Sequence, residues 1–427
     1  MKVFSFILLS SLSLQASTSL DLQALLELAL KNNPSVQIQK YIKEEQYANI
    51  TSTKAAYLPT LSANADLSSY DIKQASSAVK DKSVKTYSLI AKQLIYDFGK
   101  TSYSIKASKS NYNASKEKVL SIVSKVSFDV KKAYFSILKN YELIKVAQQS
   151  VDIDAQQLYR IQEYVNAGIK SKIDISNAKL SLSTSKLDLI KANFALKQAY
   201  NSLISLLGTK EKYLIKEEKR DIKDLSKKIA PPLQDLEYYL AQGLKNRYEL
   251  KMYEYLIQGN KDALSSSNAE FFPKVNIQAS YNNTLSHEQF LDKEQNIVGV
   301  YLSWDLFTGF SSKAKVLKNK SALNQNKEKR VQEELKIQEN ISAAYISLLE
   351  NYESTKLSLE SLALAKDNLY LSQERYKNGL NDIYELNTSK VQFTKALSSL
   401  VDIYYSYEIS IANLEYASSI LYNKGQK

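Results

Sequence analysis

The sequence has 427 residues, a formal net charge of +12 and no cysteine. The absence of cysteine excludes disulfide bonds, thiolate metal sites, cysteine nucleophiles and an acylated cysteine. Lysines and acids are interleaved along the predicted helices, as in "KEKRVQEELKIQE". This pattern is typical of a solvated helical face and gives no basis for nucleic-acid binding.

The N-terminus predicts export. Met1 and Lys2 precede an apolar run, and the small residues of "LQASTS" follow it. This pattern predicts a signal peptide at residues 1–16, cleaved after Ala16. The run of about twelve residues is too short for a membrane-spanning helix, which needs about 20.

A tandem repeat organises the remaining chain. Residues 133–145, "AYFSILKNYELIK", and 344–356, "AYISLLENYESTK", are identical at eight of thirteen positions at an offset of 211. We therefore predict two similar structural units in tandem. The predicted divisions are a first repeat at 17–207, a charged linker with few core residues at 208–235, a second repeat at 236–421 and a polar tail at 422–427.

Each repeat is predicted to begin with an amphipathic helix, at residues 22–56 and 236–269. After Pro59 and Pro273, apolar and polar residues alternate in "LSANADL" and "VNIQASYN". A second strand per repeat follows a polar loop, within "KTYSLIAKQLIYDF" and more clearly in "VGVYLSWDL". Strict alternation predicts strands with one apolar and one polar face.

Each predicted strand is about ten residues long, the length that a tilted transmembrane strand requires. A small soluble sheet would show the same alternation. The export signal favours the membrane interpretation. We expect the aromatic residues at or near the strand ends to lie at the membrane interface, namely Tyr57, Tyr96, Phe98, Phe272, Tyr281, Trp304 and Phe307.

The strands are followed by helices of unusual length. Residues 100–166 and 310–378 contain neither glycine nor proline, and their apolar residues recur at spacings of three and four. At 1.5 Å per residue, each helix would be about 100 Å long. Gly168 and Gly379 end these helices, and second helices follow at 173–207 and 383–421. The sequence thus predicts two long coiled-coil hairpins.

Four strands cannot close a barrel, and open strand edges are not tolerated in lipid. The smallest membrane barrels have eight strands, so the chain must form oligomers. Two copies would supply eight strands and three would supply twelve. These arguments leave the choice open, although the space that long hairpins need around a lumen favours three.

The order of these elements, repeated twice, resembles the TolC-like outer-membrane efflux protein family. The resemblance rests on "YLPTLSA" with "FFPKVNIQASY", "LIYDFGK" with "LSWDLFTGFSSKAK", and "YVNAGIKSKIDISNAK" with "RYKNGLNDIYELNTSK", and covers essentially all of residues 20–422. It implies a mainly helical fold with a trimeric twelve-stranded β-barrel and a helical tunnel. It further implies an exit duct in the outer membrane of a Gram-negative bacterium, with most of the chain in the periplasm. The implied partners are a periplasmic adaptor and an inner-membrane transporter of the RND or ABC type.

The resemblance also implies two sets of site residues at the hairpin ends. The turns would meet the adaptor, and they comprise Gly168, Ile169, Lys170, Ser171, Gly379, Leu380, Asn381 and Asp382. The periplasmic gate would involve Asp174, Tyr376, Asp382 and Glu385, with a hydrogen bond between Tyr376 and Asp174.

Two features qualify the implied gate. Acids at helix N-termini also serve as caps, which would explain Asp174 and Asp382 without a gate. The chain has Asn381 where the family's well-known member has arginine, and Thr388 at the position of a second ring acid.

No residue pattern predicts an enzyme, a cofactor or a metal site. The only histidine, His287, is expected to be a solvated loop residue. The competing interpretation is an exported coiled-coil protein that bridges envelope partners without conducting. It leaves the duplicated strands with apolar faces without a role.

Overall fold

A computed structural model describes residues 19–74, 77–211, 213–215, 221–286 and 292–420. The signal peptide predicted at 1–16, the tail predicted at 422–427 and His287 lie outside the described residues. The predicted order of elements is confirmed within each repeat. The helices are α1 (Leu22–Asn32), α2 (Pro34–Lys54), α3 (Lys100–Asn166), α4 (Lys172–Leu207), α5 (Ile222–Ser226), α6 (Leu236–Asn246), α7 (Tyr248–Asn268), α8 (Ser311–Lys377) and α9 (Ile383–Ser418). The strands are β1 (Ser19–Leu20), β2 (Thr60–Gln74), β3 (Ser77–Tyr96), β4 (Leu214–Ile215), β5 (Lys274–Ser286) and β6 (Lys293–Ser303).

The long hairpins form as predicted. Helices α3 and α8 each have 67 residues, and α4 and α9 each have 36. The stripe predicted along α8 is buried in particular at Ile337, Ile341, Ala344 and Leu348. The stripe is buried because apolar residues spaced three and four apart occupy one side of a helix. No helix in the described part of the chain combines the length and apolar content needed to cross a membrane.

The helix predicted at the start of each repeat is wrong in one respect, because each is broken in two. Asn33 separates α1 from α2, and Pro34 follows it as the first residue of α2. Proline disfavours helical backbone in the residue before it, and the Asn33 side chain caps the new helix by accepting from the Ser35 amide at 2.9 Å. Arg247 makes the corresponding break between α6 and α7 without a proline.

Strands β2, β3, β5 and β6 form one antiparallel sheet in that order. The first two strands have 15 and 20 residues, longer than the ten predicted. They are longer because pairing between β2 and β3 continues to Gln74 and Ser77, through the segment expected to be a loop. Ile90 and Lys92 lie on the polar face, opposite Ser62 and Thr60.

By its contacts the described chain divides into two compact units that cut across the sequence repeat. Unit 1 contains the described residues within 1–37, 122–246 and 337–427, and unit 2 contains those within 38–121 and 247–336. The main apolar core belongs to unit 1, where Leu25, Ile137, Leu207 and Leu400 are fully buried.

The segment predicted as a linker contributes to this core. Ile215 pairs with Leu20 between β4 and β1, and Ile222 begins α5. Both side chains are buried in the core of unit 1. The segment thus supplies these two residues to the core, because their apolar side chains pack despite the charged residues around them.

Candidate functional site

The two hairpin turns have the same backbone structure. Gly168 and Gly379 adopt left-handed conformations, with φ of 75° and 71°. In each turn the amide of the next residue reaches back to a carbonyl of the preceding helix, from Ile169 to Tyr164 and from Leu380 to Arg375, both at 2.8 Å. This is the Schellman arrangement, so the prediction that glycine ends both helices is confirmed.

The turns present apolar side chains to solvent. Ile169 is 66% exposed and Leu380 is 69% exposed. A Cβ atom added at Gly168 or Gly379 would meet nothing within 4 Å. The glycines are therefore required by the backbone conformation of this chain and not by close packing within it.

The acids after each turn cap the following helices. Ser171 is the N-cap residue of α4, and its amide donates to Asp174 Oδ2 at 3.0 Å in a capping box. Asp382 is the N-cap residue of α9 and accepts from the Glu385 amide at 2.9 Å. The capping interpretation is thus confirmed for Asp174 and Asp382. It does not test a role in a gate.

Tyr376, near the end of α8, contacts the turn of the first hairpin. Lys170 Nζ stands 4.6 Å from the centre of its ring, and the ring is buried. Burial, followed by the charges of Asp174 and Tyr164, raises the pKa of Tyr376 from 10.0 to about 12. The hydroxyl is therefore protonated at neutral pH.

The predicted hydrogen bond between Tyr376 and Asp174 is not formed in this chain. The Tyr376 hydroxyl is buried and has no hydrogen-bond partner among the described residues. Asp174 is close enough to raise the pKa of Tyr376, but its Oδ2 atom accepts from the Ser171 amide in the capping box. The bond is thus absent from the described arrangement, and its role in a closed gate stays a prediction. A buried hydroxyl without a partner destabilises the arrangement that contains it.

Three contacts at the second turn were not predicted. Asn381 Nδ2 donates to the carbonyl oxygen and the hydroxyl of Ser372, both at 3.2 Å, and joins the turn to α8. Glu385 lies 3.5 Å from Arg375, with both side chains about half exposed. No sequence pattern indicates these partners, because each contact depends on how the turn folds back on its own helix.

Most of the predicted aromatic residues lie at one end of the sheet, where β2 and β5 begin and β3 and β6 end. Phe98 and Phe272 stack with their ring centres 5.3 Å apart, and Tyr96 packs against Phe98. Trp304 donates its indole N–H to the Phe271 carbonyl at 2.9 Å. Tyr57 and Phe307 are exposed, and in sequence they lie close to the same strand ends.

Tyr281 was wrongly predicted to lie near a strand end. It lies inside β5, opposite Leu89 of β3 and Asn296 of β6. The reason is that β5 continues past it to Ser286, since Asn283 and Thr284 still pair with β3.

The sheet has an apolar face that the described chain does not cover. Directly opposed residues in an antiparallel sheet point to the same face. The pairs Leu61 with Ala91, Ala91 with Ala279, and Ala279 with Val298 form one such row. Leu61, Val298 and Leu302 on this face are 76%, 75% and 66% exposed. The opposite face carries mainly hydroxyl and amide side chains, including Ser62, Asn64, Ser88, Gln278, Ser280 and Asn282.

Comparison with known proteins identifies the family. The model of the outer membrane efflux protein family matches residues 25–209 and 240–418, one segment in each repeat. The chain belongs to the outer membrane efflux protein family. The predicted family and outer-membrane location are thereby confirmed, with the long hairpins in the periplasm. As a member of this family, the chain belongs to the class of efflux channels of tripartite pumps.

Proteins similar to this chain include a probable outer membrane lipoprotein, SilC, from Salmonella typhimurium. It is 22% identical over 400 residues, covering 90% of this chain and 83% of SilC. The structure of CusC matches with a TM-score of 0.80 at 17% identity, covering 94% of this chain and 93% of CusC. The CmeC outer membrane channel of Campylobacter jejuni gives a TM-score of 0.79 at 16% identity, with 95% and 87% covered. These structural matches confirm the predicted fold class.

Proposed function

We propose that this chain is the exit duct of a tripartite efflux pump or a type I secretion system. It receives substrate from an inner-membrane transporter of the RND or ABC type through a periplasmic adaptor and releases it outside the cell. The exposed apolar face of the four-stranded sheet carries this proposal. Apolar side chains on one face of tilted strands are suited to contact with lipid, and the opposite, polar face is suited to a water-filled lumen. A coiled-coil protein that only bridges partners has no use for such a face.

The sheet also requires other copies of the chain. Among the described strands, β2 and β6 each pair on one side only. Unpaired edges in lipid are strongly unfavourable, and joining the β6 edge of one copy to the β2 edge of the next removes them. Three copies would close a barrel of twelve strands.

Apolar rows on the helices support the same assembly. Exposed residues recur every seven positions on α4, at Ile173, Leu180, Leu187 and Phe194. A second exposed row follows the same spacing on α8, at Leu357, Leu364 and Leu371. Rows with a seven-residue period fit one another as the seam of a coiled coil. We therefore assign the α8 row of a second copy as the partner of the α4 row.

Gel electrophoresis and native mass spectrometry of the protein in mild detergent test the assembly. We expect trimers that dissociate to monomers on heating, with a mass of three chains and not two. A monomer that retains its full sheet signal by circular dichroism would contradict the proposed barrel. A stable dimer would contradict only the number of copies.

The adaptor is proposed to dock on the two hairpin turns, residues 168–171 and 379–382. The exposed Ile169 and Leu380 would supply apolar contacts on a backbone held rigid by the Schellman bonds. Replacing both residues with Asp should abolish export while trimers still reach the outer membrane. The matched control exchanges them, as Ile169→Leu with Leu380→Ile, and keeps the apolar surface. Normal export by the Asp variant would show that the adaptor docks elsewhere.

The gate is proposed to lie just behind these turns, with Asp174, Tyr376, Asp382 and Glu385 as its residues. Movement of the second hairpin would bring water to the Tyr376 hydroxyl, which has no hydrogen-bond partner in the part of the chain that the structure describes. Tyr376→Phe should therefore stabilise the closed channel and lower its open probability in planar bilayers. An increase in open probability would refute this role of the hydroxyl.

Glu385 tests the electrostatic side of the gate. The Glu385 side chain is about half exposed and forms an ion pair with Arg375, which is similarly exposed. Its carboxylate would contribute negative charge at the proposed aperture. Threefold symmetry would arrange three such carboxylates around the pore. Glu385→Gln should lower the preference for cations in reversal-potential measurements, whereas Glu353→Gln, on an exposed face of α8, should leave it unchanged.

A further inference from the structure

Helices α3 and α9 belong to different hairpins and meet along a polar and aromatic seam. We define the α3–α9 seam by its five pairs of residues. As the α3 number rises the α9 number falls, so the helices are antiparallel. The pairs are Phe128 with Tyr416, Lys131 with Glu415, Lys139 with Asp402, Asp154 with Lys390, and Gln157 with Asn387.

The charges along the seam reverse once. In the first two ion pairs the lysine belongs to α3 and the acid to α9. In the pair of Asp154 and Lys390, the acid belongs to α3 and the lysine to α9. Sliding one helix along the other would break all three pairs. A displacement large enough to bring Lys390 toward Lys139 would place like charges together. The reversal therefore specifies one register between the helices.

The reversed pair is also the most deeply buried of the three. Lys390 Nζ lies 2.5 Å from Asp154 Oδ2, and the two side chains are 8% and 1% exposed. Ser185 of α4 donates to the same oxygen, so three helices meet at one carboxylate. The ion pair of Lys139 and Asp402 is far more exposed, at 32% and 50%. Exposed pairs contribute little to stability, whereas a buried charge that loses its partner is strongly destabilising.

The position of the buried pair relates it to the hairpin ends. Asp154 precedes Gly168 by fourteen residues, which is about 20 Å along a helix. The two hairpins touch again between the pair and the turns, where Gln157 donates to Asn387, and at the first turn itself, where Lys170 covers the ring of Tyr376. The alignment of these contacts depends on how α9 is placed along α3.

We propose that Asp154 and Lys390 form a register latch, which holds α9 at one position along α3 and thereby aligns the two hairpin ends. Lys390 is thus a positioning residue for Tyr376 and the turns. The latch itself is independent of the proposed transport function, whereas its effect on conductance rests on that function. Buried ion pairs often contribute less stability than apolar residues of the same size, so we assign specificity of register, and not stability, to this pair.

Crosslinking in full-length trimers tests the latch directly, because the natural chain has no cysteine and only introduced ones will react. Gln157→Cys with Asn387→Cys places two thiols at the next contact toward the turns. A short dithiol-reactive crosslinker then reports the register as a rate of intramolecular crosslinking. The measurement is made in three backgrounds, namely the natural pair, Lys390→Met, and Asp154→Leu with Lys390→Met.

We expect Lys390→Met to slow crosslinking by about tenfold, because Asp154 is left buried without its partner. The buried charge in this variant can also prevent folding, which would be seen as a loss of trimers. The variant with both residues apolar avoids a buried charge and should form trimers of undiminished thermal stability. Its crosslinking should nevertheless stay slow, because the one reversed and buried ion pair no longer specifies the register, and the two remaining pairs of the seam are more exposed. Lys139→Met removes an exposed seam charge and should crosslink at the rate of the natural chain.

Crosslinking of the doubly apolar variant at the natural rate would overturn the latch, because the pair would then contribute only to packing. Failure of the natural pair background to crosslink would also overturn it, since the seam would not exist in solution. If the proposed function holds, the doubly apolar variant should also leak more current when closed. If neither the natural protein nor any variant conducts, the proposed function is contradicted. The crosslinking rates would then test the latch by themselves.

Discussion

Helices α4 and α9 occupy equivalent positions in the two repeats, but the described chain buries far fewer side chains of α4 than of α9. Both have 36 residues and follow a glycine turn. Four residues of α4 are buried, compared with eighteen of α9. The difference shows that a repeated sequence can produce equal helices without giving them equal surroundings.

The inner rows of the two helices illustrate the point. Apolar residues recur every seven positions in α9 and are buried, at Leu386, Phe393, Leu400, Tyr407 and Leu414. The equivalent row of α4 is half-buried at Ile175, Leu182, Leu189 and Leu196 and is buried only at its last member, Leu203. On α4 a second apolar row, from Ile173 to Phe194, is exposed. We infer that α9 is packed by its own chain and that α4 is completed by a second copy.

The largest expected effect comes from placing charges in the exposed row of α4. Leu180→Asp with Leu187→Asp should prevent trimer formation, because two charges would be buried at the proposed contact between copies. Lys179→Ser with Lys186→Ser changes the net charge by the same amount on the adjoining face and should leave trimers intact. Heating gels and native mass spectrometry measure both variants. Normal trimers of the Asp variant would show that this row stays exposed in the assembly.

The buried row of α9 should respond differently. Leu400→Ala removes a fully buried side chain and should lower the free energy of unfolding by about 2–5 kcal/mol. Leu187→Ala on α4 should change the stability of the dissociated monomer by less than about 0.5 kcal/mol. Urea unfolding in detergent, under conditions that dissociate the oligomer, compares the two. Equal effects would remove the distinction drawn between the helices.

The pH dependence of stability should distinguish the two repeats, because Tyr376 titrates and its equivalent in the first repeat, Val165, does not. A pKa raised from 10.0 to about 12 means that the unfolded chain loses this proton first as pH rises. The contribution to stability is fully present below pH 10 and is lost between pH 10 and about 12, by about 2–3 kcal/mol. Unfolding of the natural chain and of Tyr376→Phe across this range should differ by that amount. Parallel curves would contradict the raised pKa.

The smallest effect is expected at the turns. Asn381→Ala removes two hydrogen bonds to Ser372, which destabilises the second turn. It also removes the buried Oδ1 atom, which has no partner among the described residues, and this offsets part of the loss. The net destabilisation should be about 1 kcal/mol. At the equivalent position of the first turn, Lys170→Ala should lose only the contact with the Tyr376 ring, about 0.5–1 kcal/mol. Hydrogen exchange of the turn peptides, followed by mass spectrometry, resolves the two. A larger increase in exchange at the first turn of Lys170→Ala than at the second turn of Asn381→Ala would contradict the expected order of the two effects.

Local chemistry allowed much of the fold to be predicted. The long helices, the alternating strands and the glycines at 168 and 379 follow from preferences that a residue expresses with its near neighbours. The caps at Asp174 and Asp382 were foreseen for the same reason. By contrast, the break at Arg247 has no proline to announce it, and the position of Tyr281 inside β5 depends on pairing with a distant strand.

The sequence by itself determined the repeat, the hairpins, the two faces of the strands and the family. Only the tertiary structure decided which apolar rows the chain covers, that the Tyr376 hydroxyl finds no hydrogen-bond partner among the described residues, and that Lys390 meets Asp154. A lysine and an aspartate 236 positions apart give no local sign of pairing. The physical reason is that helix and strand formation depend on neighbours within a few residues, whereas burial and ion pairing depend on which distant elements meet.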